Sequence, residues 1–110
     1  MRIESRNRSQ GKVMKPSEAL RLHREAIRRI VESNDATNPR VFGSAIHGDD
    51  AEGSDLDILV DPIKGKTTLI SLASIQLEIE DLTGVKTDVL TPMALHERFR
   101  NEVLVEARPI

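Results

Sequence analysis

Cysteine is absent from the 110-residue chain, and so are tryptophan and tyrosine. The missing cysteine excludes disulfides and thiolate catalysis, and it argues against structural zinc, whose sites rely heavily on thiolates. Phe42 and Phe99 are the whole aromatic complement, too few for the stacking platforms that single-strand nucleic-acid binders use. A net charge of −2 points the same way, so general nucleic-acid binding is not expected. No stretch approaches the roughly 18 apolar residues that suggest a membrane span. The N-terminus carries no apolar core of a signal peptide, which makes the cytoplasm the expected location. The length suits one small domain with one core.

Charge is unevenly distributed. Arg2, Arg6, Arg8 and Lys12 crowd the first dozen residues against Glu4 alone. With no hydrophobic period, residues 1–13 read as a disordered basic tail, and residues 14–110 as the folded domain. Met14 is an alternative start of translation. At the other extreme, Asp49, Asp50, Glu52, Asp55, Asp57 and Asp61 fall in thirteen residues without a single Lys or Arg. So dense an acidic segment repels itself unless it is loose or binds a cation.

Periodicity organises the rest. Pro16 and Ser17 open a helix to about Ser33, with Leu20, Ile27, Ile30 and Val31 at helical spacing and Arg24 interrupting the stripe. Residues 34–39 carry turn chemistry, and a short strand follows over 40–43. Residues 55–61 alternate, with Leu56, Ile58 and Val60 on one face of a second strand. A helix over 67–82 follows, its Leu69, Leu72, Ile75, Ile79 and Leu82 recurring every three or four residues and Gly84 at its C-cap. Val85 to Leu90 reads as a third strand, and Thr91-Pro92 as the opening of a last helix. Its Leu95, Phe99, Val103 and Leu104 form a stripe expected to pack on the sheet, the other reading being a surface that a partner covers. The order α-β-β-α-β-α implies an α/β (α+β) fold with a small mixed sheet, flanking helices, and a right-handed parallel crossover between the second and third strands.

Asp55 and Asp57 are two apart on a predicted strand, so both carboxylates share a face, with Cα atoms about 7 Å apart. Alone, such a pair reads either as a solvated acidic face or as a ligand pair for a hard divalent cation such as Mg²⁺ or Mn²⁺. Asp88 on the third strand favours the cation. The crossover can bring it beside the pair, and three carboxylates on adjacent strands suit a two-metal site of the type that serves phosphoryl or nucleotidyl transfer. Gly43-Ser44 closes the first strand, where glycine allows close backbone approach to a ligand and a helical turn would favour phosphate. Gly43 and Gly48 have the spacing of a P-loop, but Asp49-Asp50 stands where Lys-Ser/Thr is required. An EF-hand beginning at Asp50 fails because Asp55 stands at the glycine position. His23 and His96 have no ligand partner at useful spacing and read as solvated or capping residues.

Taken together, Phe42-Gly43-Ser44, ten residues, then Asp55-Leu56-Asp57-Ile58-Leu59-Val60 closely resembles the signature of the polymerase-β-like nucleotidyltransferases. From about Ser17 to Ile110 the chain is similar to their minimal branch, the MNT domains. The resemblance includes the segment Asp88 to Leu95, where the third carboxylate lies. It implies that Asp55, Asp57 and Asp88 bind Mg²⁺ or Mn²⁺, that Asp88 helps activate the acceptor, and that Gly43 and Ser44 hold the triphosphate of ATP. Members of this branch resemble antitoxins paired with HEPN-domain toxins, some of which transfer AMP onto a toxin tyrosine. The implied partner is therefore a HEPN-like toxin. Relatives often read GSRARG where this chain has Gly43-Ser44-Ala45-Ile46-His47-Gly48. Ala45 and His47 replace two arginines, and Arg40 on the preceding strand is the candidate to compensate. Two other functions fit the same residues: an antitoxin that neutralises its partner by contact alone, and an enzyme acting on a small molecule such as an aminoglycoside. Enzymes of the latter kind usually carry an additional helical domain, which is not expected here.

Overall fold

The computed structural model describes residues 14–110; the expectations for residues 1–13 lie outside them. The elements run α1 (Pro16–Ser33), β1 (Ala36–Phe42), a 3-10 turn (Gly43–His47), β2 (Leu56–Pro62), α2 (Leu69–Thr83), β3 (Thr87–Leu90), a second 3-10 turn (Pro92–Ala94), α3 (Glu97–Glu106) and β4 (Arg108–Pro109). The sheet order is β3-β2-β1-β4. β2 and β3 are parallel, as the crossover through α2 requires, while β1 pairs antiparallel with both β2 and β4.

Alternation in β2 divides the sheet into two faces. Leu56, Ile58 and Val60 are fully buried with Ile27 and Val31 of α1 and Ile75 and Ile79 of α2. This apolar core holds α1 and α2 on one side. Asp57, Leu59 and Asp61 point to the other side. Leu59 is buried there as well, and the turn after β3 touches β2 on that strand.

Local chemistry sets the boundaries. Asp50 is buried because its carboxylate caps α1 from across the fold, accepting from the Ser17 N–H at 2.7 Å and the Ser17 hydroxyl at 2.8 Å. Thr68 caps α2 by accepting from the Ser71 N–H, and Gly84 ends it in the left-handed conformation at φ 73°. β1 begins at Ala36, four residues earlier than the turn residues suggest. Asn38 takes positive φ (52°) at an irregularity in the β1–β2 pairing, so the asparagine marks a bulge inside the strand.

Three expectations are corrected. The segment opened by Thr91-Pro92 is a 3-10 turn that breaks at Leu95 and His96. α3 begins afterwards, with His96 as its N-cap, the ring Nδ1 accepting from the Arg98 N–H at 3.1 Å. The stripe on this helix does not pack on the sheet: Leu95, before the helix, is buried, but no residue of α3 is, and Phe99 is half exposed. The stripe of α2 is narrower than its spacing suggests, because Leu69 and Leu82 face out.

β4 was not foreseen. Ile110 is buried beyond it and donates its N–H to the Pro39 carbonyl, while Arg24 and Arg28 donate to the carbonyls of Pro109 and Ile110. Arg24 interrupts the apolar stripe of α1 because it holds this edge strand. No helix among the described residues is long and apolar enough to cross a membrane.

Candidate active site

The parallel register of β2 and β3 sets Asp57 directly beside Asp88. Adjacent strands lie about 4.8 Å apart, and residues in register share a face. Both carboxylates therefore stand on the face of the sheet away from α1 and α2. Asp55, just before β2, is close enough for its charge to act on Asp57. Partial burial raises the Asp57 carboxyl from its ordinary 3.8 to about 6, helped by the negative charges of Asp88 and then Asp55.

Gly43 closes this corner. Phe42 pairs with Asp57 across β1 and β2, and the next residue turns at φ 81°. A Cβ at Gly43 would lie 2.5 Å from Asp57 Oδ2. Only glycine fits, by conformation and by space. Its close approach is to a carboxylate of the chain itself. Ser44 follows, exposed, in the first 3-10 turn.

Two other acids of the dense segment have partners within the domain, and Asp49 and Glu52 are exposed. Asp50 caps α1. Asp61 pairs with the Arg40 guanidinium and accepts from Asn38 at 2.9 Å. Among the described residues, no Lys or Arg forms an ion pair with Asp55, Asp57 or Asp88. Three hard oxygen donors with no counter-charge fit a divalent cation. They do not close on one point by themselves: among the described residues no three such side chains are gathered tightly enough to hold an ion.

The structure thus brings together Asp55, Asp57, Asp88 and Gly43, with Ser44 adjoining. It does not bring Arg40 to them. Arg40 lies on the same face, but its guanidinium is directed to Asp61, four residues or about 13 Å along β2 from Asp57. Ala45 is not a vacant phosphate contact either, because its side chain is buried in the core, whereas His47 is exposed. Cations do gather beside this turn, in a way spacing alone could not show. A cleft of about 390 Å³ between α1, the turn and β4 is lined by Arg21, Arg24 and Arg108. Val41, which faces the core, also lines it, so it opens on the opposite side of the sheet from Asp57.

Known proteins resemble this chain in sequence and fold. Residues 20–110 match the family model described as a nucleotidyltransferase domain. In Methanocaldococcus jannaschii, "Putative protein adenylyltransferase MJ0435" is 37% identical over 67 residues, covering 61% of this chain and 71% of that one. "Putative protein adenylyltransferase MJ1217" of the same organism is 28% identical over 89 residues, covering 81% and 87%. A solved "putative minimal nucleotidyltransferase" superposes with a TM-score of 0.76 at 40% identity, over 86% of this chain and 95% of that chain. A toxin-antitoxin structure with AMP-PNP superposes at 0.62 and 16% identity, over 74% and 66%, and so shares the fold.

Proposed function

This chain belongs to the nucleotidyltransferase-domain family, and on that premise we propose that it transfers AMP from ATP to a hydroxyl of a partner protein, a tyrosine of a HEPN-like toxin. The observation that carries the reading is the pairing of Asp57 with Asp88 beside Asp55, on the face of the sheet away from α1 and α2, with no counter-charge among the described residues. The names of the Methanocaldococcus jannaschii relatives support a protein acceptor, and the toxin-antitoxin structure with AMP-PNP supports an adenine nucleotide and a toxin. The chain has no tyrosine of its own to modify.

In this reading Asp55, Asp57 and Asp88 hold Mg²⁺ or Mn²⁺. A divalent ion held there would supply positive charge to offset the negative charge of the phosphates during transfer. Gly43 lets the backbone turn tightly past Asp57, and with Ser44 it presents N–H groups to the phosphates. A carboxylate oxygen of Asp88 accepts the acceptor's proton. The acceptor oxygen bonds to the α-phosphorus as the bond to the bridging oxygen breaks, and pyrophosphate leaves with that electron pair. The exposed apolar residues of α3, Phe99, Leu104 and Val105, offer the surface on which the partner sits.

The test is mass spectrometry of the partner after incubation with ATP and Mg²⁺. An added AMP that disappears in excess EDTA, and in Asp57→Asn, supports the proposal. A stable complex with no modification would favour neutralisation by contact, a reading that the exposed face of α3 allows equally.

A further inference from the structure

α2 is apolar on two sides, and the domain covers only one of them. Ile75 and Ile79 enter the core. On the opposite side Leu69, Ile70 and Leu77 are 85%, 77% and 62% exposed, and Ala73 between them is exposed as well. At 3.6 residues per turn, Leu69, Ala73 and Leu77 form one i, i+4, i+8 ridge, with Ile70 beside it. A helix that is apolar all round is normally enclosed on all sides.

The pattern identifies what encloses it. The ridge is symmetric about Ala73, with one leucine four residues before and one four residues after. A two-fold axis at Ala73 lays the ridge on itself. Each Leu69 then meets the other copy's Leu77, and the small central residue lets the two helices approach closely. Residue i meets j as j meets i, which is the requirement of an isologous contact.

Charge fixes the direction. Lys64 and Lys66 precede the helix, whereas α2 itself carries Glu78, Glu80 and Asp81 and no cation. Glu78 and Glu80 are engaged within the domain, by Asn34 and by the Thr87 N–H. Lys66 and Asp81 are exposed and form no ion pair among the described residues. Lys66 stands seven residues before Ala73 and Asp81 eight after it. Antiparallel self-pairing therefore sets the cationic end of one copy against the acidic end of the other. A parallel arrangement would set like against like.

We propose that this face of α2 is the interface of a homodimer, with the two helices antiparallel about Ala73. A contact of one helix per subunit lies at or below the low end of stable interfaces, about 1,200 Å² in total, so the dimer dissociates on dilution. Because α2 covers the apolar face of the sheet, both carboxylate clusters stay open. The inference is independent of the reaction proposed above.

The cysteine-free chain makes the test direct. A disulfide needs Cβ atoms about 4 Å apart, and only self-pairing at Ala73 gives that distance at this position. Under mild oxidation Ala73→Cys is expected to form covalent dimers several-fold faster than Ala51→Cys, an exposed loop control. Adding Leu77→Glu should remove the advantage. Mixing Lys66→Glu with Asp81→Lys chains should yield more heterodimer than the random proportion, since only the mixed pair matches both charges. Cross-linking no faster than the control, an advantage that survives Leu77→Glu, or random mixing would each overturn the proposal.

Discussion

Asp57 and Asp61 stand four residues apart on the same face of β2, and their surroundings differ in kind. Asp61 is answered: Arg40 and Asn38 reach it from β1, and its charge is spent within the domain. Asp57 is surrounded by more of its own sign, with Asp88 in register beside it and Asp55 behind it. The strand pattern alone makes them equivalent, as two acids facing away from the core. The difference lies in the neighbours that the topology supplies. β1 offers a cation opposite one end of β2, and β3 offers a third carboxylate opposite the other. An acid that the fold pairs off holds structure. An acid that the fold leaves in repulsion awaits something from outside.

The strongest way to break the comparison is to neutralise each acid in turn. Asp57→Asn should lower nucleotide transfer by about 10³-fold or more, since the cation-binding carboxylates contribute several kcal/mol to the transition state. Asp55→Asn and Asp88→Asn should fall in the same range. Asp61→Asn should stay within a few-fold of the native rate. A radiolabelled ATP assay on the four variants decides it, and an active Asp57→Asn or an inactive Asp61→Asn would erase the distinction. Gly43→Ala follows closely, with about 10²-fold loss. Its methyl would stand 2.5 Å from Asp57 Oδ2 at a φ of 81° and would displace that carboxylate by about 1 Å, a shift of costly size at a catalytic centre. Circular dichroism should show the fold retained.

The carboxylate half of the site was legible in the sequence. Alternation through Leu56, Ile58 and Val60 tells which way Asp55 and Asp57 face, and the crossover rule brings β3 alongside. Register was not legible, because no spacing rule says that Asp88 rather than Thr87 stands beside Asp57. The cap at Gly84 followed from residue type. The break before α3 did not, since Pro92 reads as well for a 3-10 turn as for a helix. Interactions distant in sequence were the blind spot. Asp50 caps α1 across 33 residues and Arg24 holds β4 across 85, whereas in the sequence one is part of an acidic segment and the other a break in an apolar stripe. Arg40 shows the converse. Position alone makes it a candidate for a phosphate contact, whereas strand pairing gives it Asp61 as its partner.

Ala45 and His47 allow a finer contrast, between two positions where relatives often carry arginine. Ala45 is 6% exposed and belongs to the core. Ala45→Arg should cost about 3 kcal/mol by placing a charge and excess volume among apolar side chains, read as a lower denaturant midpoint. His47 is exposed, so His47→Arg should leave stability within about 0.5 kcal/mol. It should also tighten ATP binding a few-fold by adding a cation near the phosphates, read by calorimetry. Unchanged affinity would mean that the turn does not face the nucleotide.

The smallest effect concerns stability without metal, and the two acids of β2 should give it opposite signs. Asp57 ionises near 3.8 in the unfolded chain and near 6 in the folded one. Between those values the folded protein binds more protons, so stability falls as pH rises through that window and stays low above it. Asp57→Asn lacks this penalty. At about pH 7.5 in EDTA it should be more stable than the native chain by about 1 kcal/mol, a value reduced from the full shift because the group is only partly buried. The advantage should vanish near pH 4, where both states carry the proton. Asp61→Asn should instead be less stable at about pH 7.5 by up to about 1 kcal/mol, because it leaves the well-covered Arg40 without its partner. Saturating Mg²⁺ should then raise the melting temperature of the native chain and of Asp61→Asn but not of Asp57→Asn, since an ion that binds only the folded state stabilises it by mass action. Thermal melts of the three proteins with and without the ion would show whether the unanswered charge at Asp57 is what the cation answers.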